Sequence, residues 1–140
     1  MFQYIKRILV VDEASELKSS IVRHLRRNGF VMDSAYGDED AQRKIVVSWK
    51  NGLRVDLVIR IVQVHDPICI DFIEWIHKHV DISTIVISGW GDTGWVRAIL
   101  KPEKDELVPN PLTPVNLMNA IHRIEDKLHT LQNSGGIPKQ

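Results

Sequence analysis

Short apolar runs alternate along the chain with segments in which apolar residues recur every three or four positions. The runs lie at residues 7–12, 30–36, 55–62, 82–88 and 106–109. Runs of this length that are rich in Val and Ile are typical of buried strands, and the segments between them have the spacing of amphipathic helices. Strands that alternate with helices predict an α/β fold: a (βα)5 doubly wound parallel sheet of five strands with helices on both faces.

Capping residues locate the starts of two of the predicted helices. Asp38 is predicted to cap the second helix, and Thr113 with Pro114 to open the last one. The domain is expected to span residues 1–131, and residues 132–140, which are rich in Gly, Ser and Gln, are expected to form a flexible tail. The second helix is predicted to turn four residues toward the core, namely Ala41, Ile45, Val46 and Trp49.

The composition is that of an ordinary globular protein and narrows the function classes. Eighteen basic residues balance eighteen acidic residues over 140 positions, so the net charge gives no drive toward nucleic acid or an anionic membrane. The single cysteine, Cys69, excludes an intramolecular disulfide and a cysteine metal cluster. No apolar run approaches the length of a membrane span, and we expect a cytoplasmic domain.

In doubly wound sheets, binding and chemistry gather at the carboxyl ends of the strands. Together with the order of the strands, the sequence around these ends resembles the receiver domains of response regulators in two-component systems. The resemblance spans roughly residues 6–127. It is carried by four segments: Ile8–Glu13, Asp56–Ile59, Thr84–Gly89 and Pro109–Pro111.

The resemblance implies a flavodoxin-like fold and a phosphorylation site with a defined set of side chains. A working receiver has an acidic pair that binds Mg²⁺, an aspartate after the third strand that accepts the phosphoryl group, and a hydroxyl and a lysine that hold its oxygens. In this chain Ile61 falls at the acceptor position, Asn110 at the lysine position and Leu107 at the position of an aromatic switch residue. The degenerate pocket therefore comprises Asp12, Glu13, Arg60, Ile61, Ser88, Gly89, Asn110 and Pro111.

The acidic pair and the arginine each admit two interpretations. Asp12 and Glu13 can form a weak Mg²⁺ site without the third carboxylate, or they can cap the first helix and bind a protein cation, in which case the Mg²⁺ site is absent. Arg60 can replace the missing metal and lysine by bonding to Asp12 or Glu13, or it can extend to solvent or pair with another nearby acid. No other cofactor is expected.

These departures predict a pseudo-receiver that is not an enzyme and signals by contact with a protein partner. The resemblance places that contact on the fourth helix, fifth strand and fifth helix, where a homodimer is also considered. Two alternatives stay open: a phosphorelay receiver with a displaced acceptor such as Asp66, and a sensor that binds a small ligand in the emptied pocket. Trp90 and Trp95 are interpreted either as exposed partner-binding residues or as cover for the core or the site.

Overall fold

A computed structural model describes residues 2–13, 15–62, 68–88, 94–109 and 112–135, apart from the side chains of residues 68, 134 and 135. The strands are β1 (Arg7–Val11), β2 (Val31–Ala35), β3 (Leu57–Val62), β4 (Ser83–Ser88) and β5 (Glu106–Pro109). The helices are α1 (Glu16–Arg27), α2 (Asp38–Lys50), α3 (Ile68–His79), α4 (Gly94–Ile99) and α5 (Pro114–Gly135). All the strands pair in parallel, in the order β2-β1-β3-β4-β5, which confirms the predicted (βα)5 sheet.

The core lies on both faces of this sheet because successive side chains of a strand point to opposite sides. On one face, residues such as Val10, Ile59 and Ile87 pack against α1 and α5. On the other face, Leu9 and Val58 pack against α2 and α3. Every residue of β3 and β4 is buried, as expected for central parallel strands covered by helices on both sides.

The chain before β1 is fixed to α5 by one carboxylate. Glu125 accepts hydrogen bonds from the backbone N–H groups of Gln3 at 2.7 Å, Tyr4 at 3.0 Å and Ile5 at 3.2 Å. At the same end of the sheet, Asp56 accepts the N–H of Arg7 at 2.9 Å. Asp56 therefore lies at the amino end of the strands, opposite the edge where a phosphoryl acceptor would be needed.

The start and inner face of α2 differ from the sequence prediction. The N-cap is Gly37, which makes no side-chain cap bond, and Asp38 is the first residue of the helix. Val46 and Trp49, predicted to be buried, are 36% and 50% exposed. At 100° per residue, Val46 lies about 140° around the helix from Ala41, which is buried, so both cannot face the core.

The last helix begins as predicted and continues further than predicted. Thr113 accepts the backbone N–H of Asn116 at 3.0 Å, as an N-cap residue should. The helix runs to Gly135, four residues into the segment predicted as a flexible tail, while the flexibility of that segment stays a prediction. None of the described helices is both long enough and apolar enough to cross a membrane.

Candidate functional site

The carboxyl ends of β1, β3 and β4 meet at one edge of the sheet. The register pairs Val11 with Arg60 and Val62 with Ser88. This brings together the ends of the three strands that carry Asp12, Arg60, Ile61 and Ser88. Four further residues named in the sequence analysis lie outside the described residues, namely Gly89, Asn110, Pro111 and Asp66.

Ile61, at the position where a receiver carries its phosphoryl acceptor, is part of the hydrophobic core. Its side chain is 3% exposed and belongs to the cluster that contains Val10, Ile87 and Leu117. The cluster lies on the face covered by α1 and α5. An isoleucine has no nucleophilic atom, and its apolar neighbours make this position a poor place for an ionised group.

Arg60 points to the opposite face and binds an acid that the sequence analysis did not connect with it. Its Nε donates to Oδ1 of Asp38 at 2.6 Å, and its Nη2 donates to Oδ2 at 3.1 Å. The two side chains are 9% and 10% exposed, and Nη1 also donates to the carbonyl of Ile61. The bidentate pair joins β3 to the first residue of α2, across the end of β1. The interpretation in which Arg60 bonds to Asp12 or Glu13 is therefore corrected, and the interpretation in which it pairs with another nearby acid agrees with the bond to Asp38.

Asp12 is engaged at the start of α1. It is 9% exposed, and its Oδ2 accepts the hydroxyl of Ser15 at 2.9 Å. Ser15 is the N-cap of α1 and accepts the backbone N–H of Lys18 at 3.1 Å. The Lys18 ammonium in turn donates to the Asp12 carbonyl at 2.8 Å and to the Ala35 carbonyl at 3.5 Å. Asp12 thus supports a helix cap, while Glu13 is exposed.

The residues present at this edge do not fit a receiver's Mg²⁺ site. Such a site needs several oxygen ligands in nearly octahedral order, and Ile61 replaces a carboxylate. The Asp12 carboxylate is shared with Ser15, and Glu13 points to solvent. Within the part of the chain that the structure describes, no group of three His, Cys, Asp or Glu side chains is placed to hold a metal ion. Weak or absent binding of Mg²⁺ stays a prediction.

Comparison with solved structures finds the same fold in response-regulator receiver proteins. A receiver domain protein from Clostridium thermocellum superposes with a TM-score of 0.71 at 22% identity, covering 91% of this chain and 99% of that one. A receiver protein from Pseudomonas putida superposes with a TM-score of 0.68 at 20% identity, covering 86% of this chain and 98% of that one. A receiver domain protein from Methanospirillum hungatei gives 0.71 at 18%, covering 90% and 98%.

The chain has a receiver-domain fold. The likeness covers nearly the whole of each of these receiver structures and nine-tenths of this chain in the case of the Clostridium protein. No family model matches the sequence, and no curated protein matches it at a significant level.

In this receiver fold, α4, β5 and α5 form a face with a cleft whose lining includes charged side chains of both signs, Asp105 among them. The cleft of about 230 Å³ on this face is lined by Arg97, Leu100, Glu106 and Lys127, among others. Arg123 donates from Nε to Glu106 at 2.8 Å, and Lys127 also binds Glu106. Burial alone would raise the pKa of Glu106, but these hydrogen bonds outweigh it and hold the pKa below its ordinary value of 4.5. Glu106 is therefore ionised at neutral pH.

Two residues named in the sequence analysis, Leu107 and Trp95, lie on β5 and α4. Leu107, at the aromatic switch position, is half-buried and packs against the cluster of Val62 and Val86. Trp95 is also half-buried and packs against the same cluster, which favours the core-covering interpretation for this tryptophan. Trp90 lies outside the described residues.

Sequence reasoning missed the two residues that organise the site, Asp38 and Lys18. Asp38 was interpreted as a helix cap, although its position directly after β2 put it at the same edge as Arg60. Lys18 was not assigned to the site, although it follows the N-cap of α1 by three positions. Both residues follow the end of a strand, and residues that follow parallel strands gather at the carboxyl edge of the sheet. That position was the signal in the sequence that could have placed them at the site.

Proposed function

We propose that this domain transmits a signal by binding a protein partner and that it is not phosphorylated on aspartate. The observation that carries the proposal is the burial of Ile61 in the core at the end of β3. The position at which a receiver accepts the phosphoryl group is filled by an apolar side chain. The domain is accordingly proposed to be a degenerate receiver without enzyme activity.

The charges around this position support the proposal. In a receiver, a metal ion and a lysine compensate the acidic residues and the incoming phosphoryl group. Here Arg60 is bound to Asp38, and Lys18 is directed at the carbonyls of Asp12 and Ala35. Both cations are engaged with the protein itself, so this edge is organised without a phosphoryl group.

We propose that the partner docks on the face formed by α4, β5 and α5. The Arg97 guanidinium is exposed on this face, and two cations, Arg123 and Lys127, share the carboxylate of Glu106. A partner segment with acidic residues would be attracted to such a surface.

The experiment measures complex formation with a partner recovered by cross-linking, with and without acetyl phosphate and Mg²⁺. We expect the amount of complex to be unchanged by the phosphodonor and reduced by Arg97→Glu, while Arg23→Glu on α1, at an exposed arginine outside this face, serves as the matched control. Binding that requires the phosphodonor would support a receiver with a displaced acceptor. A small molecule retained on the purified protein in native mass spectrometry, with no protein complex, would support the ligand-sensor alternative.

A further inference from the structure

Exposed apolar side chains are concentrated along one side of the fold. Of the eight large apolar or aromatic side chains exposed in the described residues, six lie on β2, on α2 or in the adjoining loops. β2 is an edge strand, and α2 packs beside it. The six residues are Val31, Tyr36, Val46, Val47, Trp49 and Leu53.

The outer surface of α2 has the spacing of a helix–helix contact. Glu39, Arg43, Val46 and Lys50 are all exposed and follow each other at intervals of four, three and four residues. This is the spacing of a coiled-coil seam, so the four side chains form one line along the helix. We call this line the α2 ridge. Val47, which is 50% exposed, lies beside it.

The two ends of the α2 ridge carry opposite charges that are not used within the domain. The neighbouring acids are already paired, since Asp38 binds Arg60 and Asp40 binds Arg43. For Glu39 and Lys50, by contrast, no ion-pair partner is found in the described part of the chain. These two residues are eleven positions apart, which corresponds to about 16 Å along one side of the helix.

We propose that a second copy of this chain docks on the α2 ridge, with the two α2 helices antiparallel about a twofold axis. In this arrangement Glu39 of each copy faces Lys50 of the other, which forms two equivalent ion pairs. Arg43 faces Val46 of the other copy, so the aliphatic part of the arginine covers the valine while its guanidinium stays at Asp40. Val47 widens the contact.

The ridge favours a second copy over an unrelated partner because it is complementary to itself when reversed. An isologous contact requires that residue i of one copy meets residue j of the other, and that j meets i. Pairing position 39 with 50 and position 43 with 46 satisfies this requirement, because both pairs are centred on the same point of the helix, between residues 44 and 45.

The test is sedimentation velocity of the full chain from about 10 μM to about 1 mM at low salt, a range suited to a contact of this small size. We expect concentration-dependent dimerisation that added salt weakens. Glu39→Lys and Lys50→Glu should each weaken it at least about tenfold, because each places like charges opposite one another twice. The double variant Glu39→Lys with Lys50→Glu should recover affinity to within about threefold of the parent.

Two further variants keep the test decisive. Val47→Glu should weaken dimerisation without relying on the charge pairs, and Val115→Glu should not, because Val115 is 66% exposed at the start of α5, away from the ridge. All substituted side chains are exposed, and circular dichroism confirms that each variant is folded. A chain that is monomeric throughout, single variants without effect, or a double variant that fails to recover would each overturn the proposal. Loss of dimerisation in Val115→Glu would place self-association on α5 and would also overturn it.

Discussion

Two neighbouring residues of β3 carry the proposal that the domain does not accept a phosphoryl group. Ile61 points to the face covered by α1 and α5 and joins the core there. Arg60 points to the other face and forms a bidentate pair with Asp38. Because successive side chains of a strand point to opposite faces, the apolar Ile61 side chain and the buried Arg60–Asp38 ion pair lie on different sides of the sheet, although the two β3 residues are adjacent in sequence.

Arg60→Met is expected to destabilise the domain by about 3–5 kcal/mol, because it leaves the Asp38 carboxylate buried without its cation. Arg43→Met is the matched control, since its pair with Asp40 is at the surface, with the arginine 64% exposed, and should cost at most about 1 kcal/mol. Urea unfolding measures both. Adding Asp38→Leu to Arg60→Met should recover part of the loss. Equal denaturation midpoints for Arg60→Met and the parent would show that the pair contributes nothing.

Ile61→Asp alone is expected to give a less stable protein that is still not efficiently phosphorylated. The new carboxylate would lie among Val10, Ile87 and Leu117, where burial disfavours its charged form. Ile61→Val, which keeps the position apolar, should cost about 0.5–1.5 kcal/mol, and Ile61→Asp clearly more. Thermal unfolding measures the stability of each variant. Mass spectrometry after treatment with acetyl phosphate measures its phosphorylation. A variant as stable as the parent and readily phosphorylated would contradict the proposed account of the pocket.

At the scale of secondary-structure elements, β5 and α5 are joined by a charge network centred on Glu106. Arg123 and Lys127 on α5 both bind this carboxylate, and Lys127 also donates to the Asp105 carbonyl at 2.6 Å. The network orients the surface that we propose for the partner. Its strength should depend on the ionisation of Glu106.

Because the pKa of Glu106 is lowered in the folded state, its contribution to stability is present above its ordinary pKa of 4.5 and is lost as the pH falls through the folded value. Glu106→Gln should therefore lower the unfolding midpoint at pH 7, and the difference from the parent should shrink steadily below about pH 4.5. Glu103→Gln, at an exposed acid, is the control. If the difference in unfolding midpoint between Glu106→Gln and the parent were constant from pH 7 to pH 3, the ionisation of Glu106 would not be the source of its contribution to stability.

The sequence predicted the elements well because their signals are local. Thr113 caps α5 as predicted, and the strand at residues 106–109 has the predicted bounds. The burial of Val46 and Trp49 was predicted wrongly because α2 packs beside an edge strand and so has a narrow buried face. The partner of Arg60 could not be identified because five acids follow the ends of β1 and β2, and side-chain reach rather than sequence spacing selects Asp38.

In the molecule as a whole, the net charge is zero, but individual surfaces differ in the side chains that they expose. The α4–β5–α5 face has a cleft lined by charges of both signs, and among the described residues most of the exposed large apolar side chains lie at the opposite edge of the sheet. The carboxyl edge of the strands lies between them and is organised by Arg60 and Lys18. A domain built this way can present two binding surfaces without a phosphoryl group to set their conformation.

The proposal that the domain is not phosphorylated on aspartate is tested by intact-mass measurement of the full chain after incubation with acetyl phosphate and Mg²⁺ at neutral pH. We predict an unchanged mass, because Ile61 has no nucleophilic atom and Asn110 cannot supply the charge of a lysine. The contradicting result is a mass increase of one phosphoryl group that hydroxylamine removes and that maps to an aspartate between residues 56 and 66.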